Sequence, residues 1–240
     1  MSRKLFDIFK YKQCHIESGG LLEESTPRGE QQFLNVPSQF IAPRRIDSRD
    51  MCLSSSNQHN EPSCAGYTTA GYIEYYNWKT YHYPAQINGD RIYDEAKIID
   101  KNNHPGTTLK SAANAALNLN LITGTPKYVD FPNVNKSNLS RKEKRIISIK
   151  FALHKYGVVL SGFRITDDWD WVDKKTGIIR NTGDRSQSMG GHAVLLCGYC
   201  DTGVYIQNSW SENWGHHGFA ILGWDQYDRQ IMKAMVFENN

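Results

Sequence analysis

A glutamine, a cysteine, a histidine and an asparagine in this chain are residue types that can work together as a nucleophilic site. Gln58 precedes Cys64 by six positions in NQHNEPSCAGY, and His192 and Asn208 follow Cys64 by 128 and 144 residues. A thiol paired with an imidazole is a common enzymatic nucleophile. Taken singly, each residue could equally be structural: a buried thiol, a core histidine, an asparagine in a turn. Their function depends on whether the fold brings them together.

The first half of the chain carries helical periodicity. Small residues followed by aromatic residues predict a helix over 64–80 that is buried on several sides, with Ser63 as its N-cap. This helix would place Cys64 at a helix N-terminus. Thr107 or Thr108 would cap a later helix. Three further stretches share the helical pattern: 91–101, 106–120 and 137–157.

The second half changes to short runs rich in β-branched and aromatic residues, separated by turn residues, which predict strands. These runs are VVLSGFRI, HAVLLCGY, GVYIQNSW, FAILGW and MKAMVF. A helical front and a β-rich back predict an α+β fold with a cleft between two parts. We expect a domain over 40–240, helical over about 55–125 and β-rich over about 126–235. Residues 1–39 are polar and without periodicity, so we expect them to form an arm.

Composition argues against several classes of function. The chain has 240 residues, 39% of them hydrophobic, which is typical of a globular protein. A net charge of +3 is too small to indicate a nucleic-acid or membrane partner, and the basic run 141–145 is typical of a solvated helix face. No window approaches the ~18 apolar residues of a membrane span. No conventional signal peptide is visible. We expect a chain made in the cytoplasm, with export by a specialised route as the alternative.

The cysteines do not form a regular framework. There are five of them, an odd count that indicates reduced thiols rather than a disulfide scaffold. Cys197 and Cys200 form a CxxC motif, but no second pair at metal-site spacing accompanies it. Because the motif lies in an apolar, strand-like run, we interpret both residues as buried structural thiols. No metal or cofactor is expected.

With these elements in this order, the chain resembles the papain-like cysteine proteases, peptidase family C1. NQ followed after four residues by SC is similar to the family's nucleophile segment, and HAVLLCGY with YIQNSWSENWGHHGF is similar to its second-half signature. IDSRD resembles the mature N-terminus, and the helical middle resembles the shorter bacterial members. The spacing of His192 and Asn208 from Cys64 is close to the family's usual 130–150 residues. The resemblance spans roughly 40–235. It implies a helical subdomain that faces a β-rich, barrel-like subdomain across an active-site cleft.

The resemblance also implies a role for each residue of an endopeptidase that acts on peptide or protein substrates. Cys64 would attack the peptide carbonyl and form a thioester acyl-enzyme, and His192 would protonate the leaving amine. Asn208 would orient the imidazole ring. Gln58 and the backbone N–H of Cys64 would form an oxyanion hole, where one donor is worth about 10²–10³ in rate. A helix N-terminus and His192 would lower the Cys64 pKa to roughly 3.5–7.5.

Several positions support or depart from the family's pattern. Trp210 and Trp214 would shield the histidine–asparagine hydrogen bond from water. Glu61 stands where most secreted relatives have a disulfide-forming cysteine. The stretch DDWDW, 167–171, is interpreted as a turn whose tryptophans pack inward. The arm, 1–39, is either a strap packed permanently on the domain, which we favour, or a short inhibitory pro-segment.

Two other classes of function stay open. The same cysteine–histidine–asparagine set can carry out acyl transfer, deamidation or isopeptide cleavage on one specific protein. Alternatively, the chain could be a non-catalytic binding module on the same fold. The presence of all four site residues argues against the binding module, since loss of the cysteine or histidine is the usual route to an inactive relative.

Overall fold

A computed structural model describes residues 20–24, 32–129 and 138–238 of the chain. Its helices are α1 (Cys64–Tyr81), α2 (Gly89–Asp100), α3 (Leu109–Asn118), α4 (Arg141–Tyr156) and α5 (Trp224–Gln230). Its strands are β1 (Ile46–Asp47), β2 (Thr125–Tyr128), β3 (Val159–Thr166), β4 (Ser188–Tyr199), β5 (Gly203–Gln207), β6 (Phe219–Gly223) and β7 (Ile231–Glu238). Three helices thus precede nearly all of the strands, and the predicted α+β class is confirmed.

Helix α1 begins at Cys64, as predicted, and is buried along most of its first three turns. Small side chains allow this burial: a Cβ on Gly66 would lie only 2.3 Å from the carbonyl oxygen of Gly89 in α2. Ser63 occupies the N-cap position, but its side chain makes no capping hydrogen bond. The first N–H groups of α1 are therefore left for other acceptors, which matters for the site below.

The other predicted helices have recognisable caps. Of the two threonines considered for α3, Thr108 is the cap, and its hydroxyl accepts a hydrogen bond from the backbone of Ser111. Ser140 and Glu143 form a capping box at the start of α4, and Gly157 follows its last residue. The basic run at the start of α4 is less solvated than we expected, because Lys142 and Arg145 form ion pairs with acidic residues of α5.

The strands form an antiparallel sheet in the order β2-β7-β3-β4-β5-β6, and β1 pairs with the end of β4. Side chains along β4 alternate between two cores. Val194 and Leu196 face the core that includes α4 and α5, whereas Leu195 and Cys197 face the core that includes α1 and α3. The predicted strand run is apolar at every position because helices cover both faces of this strand.

The sheet does not close on itself. Among the described strands, β2 and β6 lie at opposite ends of the order and do not pair with each other. The barrel-like subdomain that the resemblance led us to expect is therefore wrong in this respect. A barrel buries one face of its sheet inside itself. Here helices bury both faces, so the sheet can remain open.

Nothing in the sequence pattern predicted β2 or α5. β2 is only four residues long, TPKY, and has no alternation that would identify it. α5 is two turns of mostly polar residues, WDQYDRQ, in which Gln226, Tyr227 and Gln230 are buried. In the part of the chain that the structure describes, no helix has the length and apolar character needed to cross a bilayer.

Candidate active site

Cys64 is placed by the first turn of α1. Its side chain is fully buried, with 0% of its surface exposed. The backbone N–H groups of Cys64, Ala65 and Ala193 lie near the sulfur as donors and act to lower the pKa of the thiol. Two of these donors are helix N-terminal groups that the Ser63 side chain leaves uncapped. The third lies on β4 directly after His192, so the sulfur reaches the strand that carries the histidine.

His192 is held by Asn208 in a defined tautomer. The Nε2 atom of His192 lies 2.7 Å from Oδ1 of Asn208. The same Oδ1 accepts the backbone N–H of Ser209 at 2.8 Å. Because a backbone N–H can only donate, this contact identifies Oδ1 as the oxygen of the amide. His192 Nε2 must therefore carry the proton, which leaves Nδ1 as the basic nitrogen of the ring.

Two tryptophans contact the His192 ring, and a third packs against them. Trp210 stacks on it, with ring centroids 4.7 Å apart and 29° between the planes. Trp169 meets the ring edge-on at 6.2 Å, and Trp214 packs against both other tryptophans. The rings keep water away from the hydrogen bond between His192 and Asn208, and a hydrogen bond is stronger where water is excluded.

Trp169 is the contact of His192 that the sequence pattern did not identify. It lies in the DDWDW stretch, where we expected both tryptophans to pack inward. Trp169 is fully buried, but Trp171 is 41% exposed and has Arg180 over its ring at 5.0 Å. The one-turn helix Asp167–Asp170 directs one ring inward and the other outward. Alternating acidic and aromatic residues are the only sequence signal, and they do not say which ring is buried.

Gln58 joins the same hydrogen-bond network. Only 1% of its surface is exposed. Its side-chain oxygen accepts the hydroxyl of Ser209 at 2.6 Å, and its side-chain nitrogen donates to the carbonyl of Glu61 at 2.8 Å. The amide nitrogen has a second hydrogen for a further acceptor. The structure thus brings Gln58 to the residue after Asn208, so all four predicted residues belong to one connected cluster.

Residues 20–24, which we call the arm segment, pair with backbone groups beside this cluster. The N–H of Leu21 donates to the carbonyl of Gly191 at 3.1 Å. Thr107 exchanges two backbone hydrogen bonds with the arm segment, at 3.0 and 2.9 Å, which makes a parallel bridge. The segment is therefore held as an added strand between two different parts of the domain.

The arm segment lies against residues that neighbour Cys64 and His192 in the chain. Gly191 immediately precedes His192, and a Cβ at this glycine would lie 2.3 Å from the carbonyl oxygen of Leu21. On the other side, the segment packs against Pro62, two positions before Cys64. The segment thus bridges the approaches to both side chains, which are 0% and 4% exposed.

Burial favours the neutral forms of Cys64 and His192. It raises the pKa of the Cys64 thiol to about 11, against the effect of its three N–H donors. It also lowers the pKa of His192 to about 4, against the effect of the Asn208 hydrogen bond. We had expected the opposite directions, a thiolate beside an imidazolium. The difference arises because both groups are cut off from water, and charged forms lose their hydration there.

Acid should destabilise the folded protein through His192. Its folded-state pKa is about 4, below its ordinary value of 6.5, so the unfolded chain binds this proton more tightly. Stability should fall as pH drops from about 6.5 to about 4, by about 3 kcal/mol from this group. Thermal unfolding of wild type and His192→Gln across this range measures the effect. The variant should lose less stability than wild type, and parallel curves would contradict the assignment.

Metal binding has no support in the described residues. There is no group of three or more histidine, cysteine, aspartate or glutamate side chains able to hold an ion in ranges 20–24, 32–129 and 138–238. Of the CxxC pair, Cys197 is buried, as expected, but Cys200 is partly exposed, because it lies just beyond the end of β4.

The fold and cluster can be compared with known proteins. The sequence profile of the papain family of cysteine proteases matches residues 42–238. The chain therefore belongs to the papain family of cysteine proteases, a family of cysteine-type peptidases, and the resemblance noted from the sequence is confirmed.

Two curated relatives match parts of the chain. An uncharacterized peptidase C1-like protein of Acanthamoeba polyphaga mimivirus is 30% identical over 96 residues, 39% of this chain and 31% of that protein. Cathepsin B-like cysteine proteinase 4 of Caenorhabditis elegans is 32% identical over 81 residues, 32% of this chain and 23% of that protein. The matches span less than a third of either relative.

A solved structure extends the similarity over nearly the whole chain. The fold is similar to that of xylellain, a cysteine protease from Xylella fastidiosa, with a TM-score of 0.71 and 16% identity. The superposition covers 95% of this chain and 98% of that one. The papain-like fold predicted from the sequence is confirmed.

Proposed function

We propose that the protein is a cysteine endopeptidase that hydrolyses peptide bonds through Cys64. One observation carries the proposal: the hydrogen bond from His192 to Asn208 fixes the tautomer that leaves Nδ1 basic. The N–H of Ala193, the next residue along β4, lies near the Cys64 sulfur as a donor. The thiol thus lies beside the backbone of the residue that follows His192. Membership of a family of cysteine proteases supports this reading.

Each step of the reaction uses a group in the cluster. Nδ1 of His192 takes the thiol proton, and the Cys64 thiolate attacks the carbonyl carbon of the peptide. The negative charge on the oxygen is stabilised by the second N–H of Gln58 and the N–H of Cys64 at the start of α1. His192 then protonates the leaving amine, which leaves a thioester. Water activated by the same imidazole hydrolyses the thioester and restores the thiol.

Backbone groups beside the cluster provide a place for the peptide. Thr107 and the carbonyl of Gly191 already pair with the arm segment. A peptide that replaces the segment would use the same groups to add a strand. A cavity of about 310 Å³ beside the segment offers room for side chains, and Arg164 and Lys233 line it. The substrate we propose is therefore an extended stretch of peptide or protein.

The arm segment would compete with such a peptide. It holds the backbone groups of Thr107 and Gly191, and its Leu21 packs in the same core as the buried Cys64. We therefore propose that it acts as an inhibitory segment rather than as a permanent strap. Residues 1–19 and 25–31 of the predicted arm lie outside the described residues, whereas its last part, 32–39, is described.

The experiment that tests the proposal follows the mass of an unfolded polypeptide incubated with the protein. Hydrolysis yields fragments whose masses add up to the substrate plus one water for each cut. Acyl transfer, deamidation or cleavage of an isopeptide bond in one chosen protein would leave the unfolded polypeptide intact. No covalent thioester with any substrate would point to the binding module. Fragments produced by the wild-type chain are the expected result.

Asn208→Ala should weaken hydrolysis without abolishing it. The variant loses the acceptor that fixes the His192 tautomer, but the thiol and the imidazole remain. A buried hydrogen bond to a group that becomes charged is worth about 10–100-fold in rate. The initial rate of peptide cleavage measures this loss. Asn213→Ala, at an exposed asparagine nearby, is the matched control and should keep the wild-type rate. Full activity in Asn208→Ala would remove its assigned role.

The compartment also belongs to the proposal. The odd number of cysteines supports synthesis in a reducing compartment such as the cytoplasm, with specialised export as the alternative.

A further inference from the structure

Two cysteines outside the active site pack in the same core, near the start of the domain. Cys52 follows the one-turn helix Arg49–Met51, and Cys197 lies on β4. Ser48 contacts both: its N–H donates to the carbonyl of Cys197 at 2.8 Å, and its carbonyl accepts the Cys52 thiol at 3.4 Å. Both side chains pack in the core that includes α1 and α3. Burial, and after it the neighbouring Cys52 side chain, raises the pKa of the Cys197 thiol.

A bulge in the sheet sets the direction of the Cys197 side chain. The pairing of β4 with β5 runs from Leu196 opposite Ile206 to Gly198 opposite Tyr205, so Cys197 is the extra residue of a bulge. A bulge re-aims the side chain that it carries. The Cys197 thiol therefore has only a long contact with the Tyr205 carbonyl, at 3.6 Å. Cys52 is the neighbouring thiol of the same core.

We propose that Cys52 and Cys197 form a disulfide when the protein meets an oxidising pool of small disulfides. Cys52 is partly exposed and Cys197 is buried, so an incoming disulfide reaches Cys52 first. Because the backbone of Ser48 is hydrogen-bonded to both residues, side-chain rotation is the movement proposed to bring the two sulfurs to the S–S length of about 2.05 Å. The cross-link is independent of the proposed peptidase reaction, because neither thiol belongs to the active-site cluster.

Oxidised glutathione can serve as the oxidant, and the thiol–disulfide exchange then balances in atoms and electrons. The Cys52 thiol loses its proton, and the thiolate attacks one sulfur of glutathione disulfide. The glutathione thiolate that leaves takes up that proton. Cys197 then gives up its proton and attacks the Cys52 sulfur of the mixed disulfide, releasing the second glutathione. The two cysteines are oxidised to one disulfide, and one small disulfide is reduced to two thiols.

The cross-link would anchor the segment that leads to the active site. Two hydrogen bonds hold residues 52–58 to the end of β5 and to the residues that follow it. The Gln207 side chain donates to the Leu53 carbonyl at 2.6 Å, and the N–H of Gln58 donates to the Ser209 carbonyl at 2.9 Å. A disulfide at Cys52 would add a covalent tie to the strand that carries the histidine. It would also close a long loop of chain, which is where disulfides stabilise most in chain-entropy models.

Non-reducing peptide mapping tests the proposal on the full chain. The protein is equilibrated with glutathione buffers of increasing oxidised fraction, digested, and searched for a Cys52–Cys197 linked peptide two hydrogens lighter than its parts. The melting temperature of each sample is measured in parallel. We expect the linked peptide together with a rise in melting temperature of about 5–15 °C.

Two variants give the matched comparison. Cys200→Ser removes a partly exposed thiol close to Cys197 and should keep both the linked peptide and the rise. Cys52→Ser changes a partly exposed position, folds, and should lose both. Glutathione on Cys52 with Cys197 still free, or Cys52 linked to any other cysteine, would overturn the proposal. A linked peptide with no rise in melting temperature would overturn the anchoring.

Discussion

Replacing Cys64 with alanine should abolish peptide hydrolysis while the fold survives. The side chain loses only its sulfur, at a position where small residues already pack α1 against its neighbours. Without the thiol no thioester can form, and the remaining groups can only polarise a peptide for direct attack by water. Loss of the nucleophile from a site of this kind lowers the rate by about 10⁴-fold or more. The measurement is the initial rate of fragment formation, with circular dichroism melting as the check on folding.

Cys200→Ala is the matched control for this substitution. Cys200 is a partly exposed thiol in the turn after β4, and it contacts Thr202 rather than the active-site cluster. This variant should cleave at the wild-type rate. If Cys64→Ala still cleaves at a comparable rate, another group is the nucleophile. The proposed peptidase mechanism would then be wrong even though family membership stands.

The parts of the site that could be predicted depend on local chemistry and on order along the chain. A run of small residues after Cys64 indicates a buried helix, and apolar runs indicate strands covered on both faces. The separation between Cys64, His192 and Asn208 becomes informative because few folds bring residues so spaced together. In the structure, all three and Gln58 lie in one hydrogen-bonded cluster.

Features made by distant parts of the chain could not be predicted. The arm segment has no periodicity, and its partners Thr107 and Gly191 are remote in sequence. Which tryptophan of DDWDW touches His192 depends on one turn of helix. The pKa directions of Cys64 and His192 follow from burial, and no local pattern shows what covers a residue. Open sheet and closed barrel have the same strand signals, so the sequence could not distinguish them.

Leu21→Arg should uncover the active site and raise the reactivity of Cys64. The Leu21 side chain is 6% exposed and packs on Gly162, in the core that also contains Leu109. A guanidinium there would lose its hydration, and the adjoining cavity already contains the cation Arg164. The covered state of the variant loses the free energy of burying a leucine side chain, about 1.5–3 kcal/mol. It also bears the free-energy cost of burying a charge. The uncovered population should therefore rise about 10-fold or more.

The rate of alkylation of Cys64 by iodoacetamide at neutral pH measures this population, and the rate of peptide cleavage should rise with it. Once water enters, the Cys64 pKa should fall, because desolvation is the main cause that raises it. Ile41→Arg places the same side chain at a position that is 87% exposed, and it should leave both rates unchanged. A permanent strap predicts the opposite pattern for Leu21→Arg: a lower melting temperature with no gain in either rate. That result would remove the inhibitory role of the arm segment and leave the assignment of Cys64 as nucleophile untouched.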